Sequence, residues 1–342
     1  MPYSGKTSLF CALTSQDYES LGHGRDIHIG TVKVPDVRLD MLTEIIKPKK
    51  YTYATMEFFD IAGQSAGTDK VIEPKSLQAL KNAESLIVIL DAFNVGAEPK
   101  KDFTTLMEEF AFNDLVVASN RLDRLQKDMK SGKHVELVRE NEVLERCREV
   151  LENGEALRDT AFEDHEEKLL RGFQFLTLKP LLIVINIPED ALNGEAVAGF
   201  EAQFADVRNS KCAALCVELE MEIAMLDEAD RPAFLETMNI EEPALARLIR
   251  LSYETLGLFS FFTAGDTEVR AWNARKGALA PECAGVIHSD MERGFIRAET
   301  VAYDDFVRAG SYSAARDQGL LRVEGKDYVV DDGDILTIRF SV

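Results

Sequence analysis

Apolar runs and helical spacings alternate along the first third of the chain. Thr55–Asp60 (TMEFFD) and Leu86–Asp91 (LIVILD) read as strands buried on both faces, the appearance of a parallel α/β sheet in sequence. The period then changes. Leu115, Ala118, Leu122, Leu125 and Met129 step by three and four, Lys130-Ser131-Gly132-Lys133 makes a turn, and Leu137, Leu144 and Leu151 recur every seven residues. That pattern predicts an antiparallel helical hairpin with a heptad-like seam. From about 173 the α/β pattern resumes, with Pro180 opening a strand at 181–185 and a further apolar run at 213–217. The hairpin is therefore an insertion within one α/β domain. After a helix at 242–256 the chain turns to short strands with Gly-rich turns, from Phe259 to its end, the size of a separate small α+β domain.

Composition narrows the classes. Among 342 residues, 39 Lys+Arg oppose 60 Asp+Glu, a formal charge of −21. A free-standing basic nucleic-acid binder is excluded, and no DNA partner is expected; phosphate contact must come from a local patch working against the overall field. Such a patch exists in Arg121, Arg124, Lys127, Lys130 and Lys133, read either as an RNA contact or as a solvated helix face. No apolar run reaches the roughly 20 residues of a membrane span. The five cysteines, Cys11, Cys147, Cys212, Cys216 and Cys283, fall in no zinc spacing and read as reduced cytosolic thiols.

The candidate chemistry begins at residue 4. Ser4-Gly5-Lys6-Thr7-Ser8, followed by the apolar helical run Leu9-Phe10-Cys11-Ala12-Leu13, is the end of a P-loop. Backbone N–H groups at a helix start cradle phosphate, the lysine neutralises the β/γ oxygens, and the hydroxyl holds Mg²⁺. Gly-Lys-Thr alone is short enough to arise in any loop before a helix, but two further elements follow in the right order. Asp60-Ile61-Ala62-Gly63 ends a predicted strand, where an Asp-x-x-Gly element reaches the metal shell and the γ-phosphate. Asn186-Ile187-Pro188-Glu189 follows the strand at 181–185, where a base is read. An ordinary GTPase ends this last element in Asp, which accepts from guanine N1 and N2; Glu189 is one methylene longer, which disturbs guanine geometry and favours adenine.

The first Gly of the P-loop would fall immediately before Met1, and so would the strand that precedes it. Losing about five buried apolar side chains at roughly 1.5–3 kcal/mol each is a deficit on the order of 10 kcal/mol, comparable with the total stability of a domain. The expectation is an N-terminally shortened form of a longer product whose upstream codons specify an apolar strand ending in Gly.

These residues resemble the YchF subfamily of Obg-related P-loop NTPases. Thr55-Met56-Glu57-Phe58-Phe59-Asp60-Ile61-Ala62-Gly63 is similar to its Walker-B segment, and Lys179-Pro180 leading to Asn186-Ile187-Pro188-Glu189 to its NxxE specificity element. Phe261-Phe262-Thr263-Ala264-Gly265, Val269-Arg270-Ala271-Trp272, Ala284-Gly285-Val286-Ile287-His288-Ser289-Asp290, Glu292-Arg293-Gly294-Phe295-Ile296 and Glu324-Gly325-Lys326-Asp327-Tyr328 are similar to the family's C-terminal text.

The resemblance implies a G domain over 1–112 and 173–258, a coiled-coil insertion over 113–172 and a C-terminal TGS domain of β-grasp type over 259–342. It implies a cytoplasmic, ribosome-associated protein hydrolysing ATP in preference to GTP with Mg²⁺, reaching the ribosome through the hairpin and the TGS domain. Lys6 and Gln64 are then the catalytic candidates. Ser4, Gly5, Lys6, Thr7, Ser8, Gly63, Asn186, Glu189, Cys216 and Val217 are the nucleotide contacts, and Thr7 and Asp60 the metal shell. Departures put the hydrolysis rate in question. Gln64 stands where the family has a hydrophobic residue, and either orients the attacking water, as in Ras-type enzymes, or is a solvated loop residue. Residues 66–75 lack the family's Gly-rich loop, 20–28 offer no Mg²⁺-binding Thr, and Cys216-Val217 replaces the base-stacking pair. A nucleotide-regulated, non-hydrolysing interaction protein is the alternative reading.

Overall fold

The computed structural model describes residues 4–17, 27–61, 72–131, 135–227, 229–238, 240 and 242–341. The chain gathers into two compact units, Met1–Ile29 with Phe59–Ala244, and Gly30–Phe58 with Leu245–Val342. Its N-terminal half holds α1 (Lys6–Thr14), β1 (His28–Lys33), α2 (Val37–Ile46), β2 (Lys50–Thr52), β3 (Thr55–Asp60), α3 (Pro74–Asn82), β4 (Leu86–Asp91), α4 (Pro99–Ser131), α5 (Val135–Glu152) and α6 (Asp164–Leu170). There follow β5 (Leu181–Asn186), α7 (Gly194–Ala202), β6 (Ser210–Leu215), α8 (Val217–Met225), α9 (Arg231–Thr237) and α10 (Ala244–Thr255). The C-terminal stretch adds β7 (Leu258–Ala264), β8 (Glu268–Arg275), α11 (Ala280–Ile287), α12 (Ser289–Arg293), β9 (Phe295–Val301), α13 (Tyr303–Ala309), α14 (Tyr312–Asp317), β10 (Arg322–Glu324) and β11 (Ile335–Phe340). Among the described residues no helix is long and apolar enough to cross a membrane.

In the first unit β4, β5 and β6 form a parallel sheet in that order. All six residues of β5 are buried, as a central strand covered on both faces requires. Register sets Asp91 beside Asn186 and Asn186 beside Leu215, so the three strands end together. β3 departs from the sequence reading. Met56, Phe58 and Asp60 are buried while Thr55, Glu57 and Phe59 are exposed, so the strand alternates and covers one face only, as its polar Thr55 and Glu57 dictate. The apolar run at 213–217 also resolves differently: the strand ends at Leu215, and Cys216 caps α8.

The helical pair is formed by α4 and α5. Ala118, Leu122 and Leu125 pack on Val143, Leu144, Cys147 and Leu151, the seam that the heptads predict. Arg121 crosses it with a bidentate pair to Glu140, at 2.7 and 2.8 Å. However, α4 begins at Pro99, well before the seam, and changes partners along its length. Phe103 and Phe110 belong to the core over β4 and β5, whereas Ala111 and the residues after it belong to the helical cluster. The return crossing falls at Phe175, in the helical cluster, and Leu176, in the sheet core.

The second unit is built on a six-stranded sheet of order β10-β9-β11-β7-β8-β2. Phe259, Phe261, Phe295, Ala298 and Leu336 pack under Cys283 and Ala284 of α11, with Trp272 half-buried beside them. Phe262 points to the other face, against Tyr303. Residues 30–58, which the sequence groups with the α/β domain, gather here instead. β2 extends the sheet alongside β8, and Arg38 of α2 pairs with Asp36 and Asp332 at 2.8 and 3.0 Å. His288 serves as the N-cap of α12, its Nδ1 accepting from the Asp290 amide.

Candidate functional site

The phosphate end is built on Gly5, the N-cap of α1. Its φ of +89° lies in the left-handed region, and a Cβ there would stand 2.9 Å from Asn186 Nδ2. Conformation and space both demand glycine at this position. No side chain caps α1, so the first-turn amide groups of Lys6, Thr7 and Ser8 face outward at the positive end of the helix dipole, an arrangement suited to phosphate. Burial pulls the Lys6 ammonium below its ordinary value, and the Asp60 carboxylate partly restores it. Thr7 Oγ1 donates to Asp60 Oδ2 at 2.9 Å, so the two residues assigned to the metal shell meet although they are 53 positions apart. A hydroxyl and a carboxylate are hard oxygen donors of the kind Mg²⁺ takes alongside water and phosphate oxygens.

Asn186 joins this end to the next. Its Nδ2 donates to the Ser4 carbonyl at 3.3 Å, and its Oδ1 accepts the Val217 amide at 3.1 Å. Both ends of the side chain are thus engaged in bracing the P-loop against the start of α8. Ser4 and Asn186 are buried to suit. Cys216 is buried as well. Burial pushes its thiol up, against the Leu219 and Glu218 amides that pull it down.

A shallow, open depression lies at the strand ends, lined by Phe93, Pro188, Glu189, Asp190 and Glu218. Ligands of open α/β sheets bind at this place, beyond the carboxyl ends of the strands. Glu189, the last residue of the NxxE element, is exposed on its wall. Phe93 and Glu218 escaped the sequence reading. Phe93 is held by Asp91, whose Oδ1 accepts from the Phe93 and Asn94 amides at 3.0 and 3.2 Å. An Asp closing an apolar strand and followed by Ala-Phe-Asn is an Asx-turn signal that places an aromatic at a strand end. Gly63, Gln64 and Lys133, together with most of 20–28 and 66–75, lie outside the described residues. On the hairpin, Arg121 is neutralised by Glu140, while Arg124, Lys127 and Lys130 are exposed and have no ion pair among the described residues.

A glycine-led helix start, a hydroxyl–carboxylate pair beside it and a depression beyond a parallel sheet define a P-loop nucleotide-binding α/β protein. Comparison with known proteins narrows the class. The protein named Ribosome-binding ATPase YchF of Bacillus subtilis (strain 168) is 38% identical over 359 residues, spanning 100% of this chain and 98% of the relative. The protein of the same name in Escherichia coli O157:H7 is 36% identical over 355 residues, with the same coverage. This chain belongs to the YchF family. Residues 258–341 match the YchF-GTPase_C family model, described as "Protein of unknown function (DUF933)". The solved structure of the Schizosaccharomyces pombe YchF GTPase superposes with a TM-score of 0.87 at 25% identity, covering 99% of this chain and 96% of that one. A GTP binding protein from Pyrococcus horikoshii OT3 shares the fold, with a TM-score of 0.59 at 16% identity and coverage of 99% and 98%.

Proposed function

We propose that this chain is a cytoplasmic, ribosome-binding ATPase that prefers ATP to GTP and works with Mg²⁺. The observation that carries the reading is the Thr7–Asp60 bond at the N-terminus of α1, in a chain whose relatives bear the name ribosome-binding ATPase. Ser4, Gly5, Ser8 and the α1 amides hold the phosphates, and Lys6 neutralises them. Thr7 and Asp60 hold Mg²⁺, which when bound supplies positive charge to the phosphate oxygens. Glu189 and Phe93 line the base site, which Asn186 and Val217 fix in place against the P-loop. For Gly63 and Gln64, the resemblance supplies the roles of γ-phosphate contact and orienter of the attacking water.

The same reading divides the chain into a G domain over 1–112 and 173–258, of which 30–58 gathers with the C-terminal unit, a helical insertion over 113–172 and a TGS domain over 259–342. Exchange of packing partners at Phe110/Ala111 and at Phe175/Leu176 supports the insertion's limits. The ribosome is met by the hairpin and the TGS surface.

Equilibrium binding of ATP and GTP, followed by phosphate release with and without Mg²⁺, tests this reading in the wild type and Lys6→Ala. Loss of a charge-assisted phosphate contact is expected to weaken ATP binding about 10-fold or more and to abolish Mg²⁺-dependent release. Turnover independent of Lys6 would overturn the assignment.

A further inference from the structure

Asp114 has no part in the site described above, yet its side chain is completely buried. It lies on α4 just past the point where that helix leaves the sheet core for the helical cluster. Its Oδ1 accepts the Leu176 amide at 2.9 Å, and its Oδ2 accepts the Thr177 amide and the Thr177 hydroxyl, both at 2.7 Å. Leu176 and Thr177 lie where the chain returns from the helical pair to the sheet. One carboxylate therefore ties the outgoing crossing to the returning one.

The joint is reinforced around it. The Arg158 amide donates to the Thr177 carbonyl at 2.9 Å, and its Nε to the Lys179 carbonyl at 3.2 Å. Lys179 Nζ in turn donates to the carbonyls of Lys81 and Ala83, at the entry to β4. Burial pushes the Asp114 carboxyl up while the Thr177 amide, the Leu176 amide and the Thr177 hydroxyl pull it down, and a buried carboxylate so placed has a high cost of separation from its partners.

Both walls of the base site connect to this joint along the chain, the joint lying at the amino ends of β4 and β5 and the site at their carboxyl ends. The wall carrying Phe93 runs on through 94–98 into α4. The wall carrying Glu189 follows β5, which Thr177 precedes by four residues. Pairing of Asp91 with Asn186, and the Ala92 amide on the Asn186 carbonyl at 2.9 Å, fix where the walls begin. Asp91 holds Phe93 and Asn94 at the start of the turn that leads into α4. We infer that Asp114 is a positioning residue that couples the α4–α5 helical pair to the base site, so that nucleotide binding and the state of the hairpin affect each other. Such coupling is reciprocal. A nucleotide must therefore alter the hairpin even when nothing is bound to the hairpin.

The inference rests on the proposed nucleotide site, and the experiment separates the two. Amide hydrogen exchange is followed in the full chain with and without ATP, for wild type, Asp114→Asn, Thr177→Val and Lys6→Ala. In the wild type ATP is expected to change exchange in 115–129 and 137–150 about 5-fold or more. Asp114→Asn abolishes that change and keeps ATP affinity within about 2-fold. Thr177→Val removes one of the three hydrogen bonds and weakens the response; it takes the place of Asp114→Asn if that variant does not fold, and Thr177→Ser restores the wild-type behaviour. A wild-type hairpin indifferent to ATP that binds through Lys6, or a response that survives in Asp114→Asn (in Thr177→Val, if it is the variant used), overturns the inference alone. ATP binding that is absent or unaffected by Lys6→Ala overturns the nucleotide-site reading instead.

Discussion

Asn186 carries two assignments that a single substitution separates. As a reader of the base it matters only when nucleotide is bound. As the brace between the Ser4 carbonyl and the Val217 amide it matters to the free protein, because removing it takes a donor from the one and an acceptor from the other. Asn186→Ala is expected to cost the nucleotide-free chain about 1–3 kcal/mol, read from urea midpoints; an unchanged midpoint removes the brace. The meeting of Thr7 with Asp60 was legible in the sequence because the P-loop and Asp-x-x-Gly patterns fix residue order in short contiguous segments. Phe93 was not, because its place depends on the Asx turn at Asp91. Asp114 left no signal at all: it is one acidic residue on a helix, and its partners lie 62 and 63 positions away.

The elements show the same division. The seam of α4 and α5 was readable from Leu122, Leu125 and Leu144, whose spacing serves one partner throughout. The start of α4 was not, because Phe103 and Phe110 answer to the sheet and follow a different stripe of the same helix. Nor could the sequence show that 30–58 joins the C-terminal unit, an arrangement that depends on Arg38 meeting Asp332 from nearly three hundred residues away. Where α6 meets α5, Arg146 and the Glu163 amide hold the Glu166 carboxyl below its ordinary value, with burial opposing. The folded value lies below the unfolded one, so this contribution is complete above about pH 4.5 and is lost as pH falls through the folded value. Glu166→Gln is therefore expected to flatten the acid limb of the stability curve, measured as urea midpoints between neutral pH and the onset of acid unfolding. A limb as steep as that of the wild type contradicts the assignment.

For the whole molecule, a charge of −21 means that any RNA contact is local and strongly dependent on salt. With Arg124, Lys127 and Lys130 among the exposed cations of the hairpin, Lys127→Gln is expected to weaken ribosome binding and to lower the slope of log affinity against log salt by about 1. An unchanged slope moves the contact to the C-terminal unit. The helix bearing these cations is 33 residues long, a span of about 50 Å. Mobile ions extinguish the field of a surface charge within about 8 Å at physiological ionic strength. A charge near the start of α4 is therefore screened many times over before the helix's far end, so any coupling between the two ends runs through packing rather than through the field.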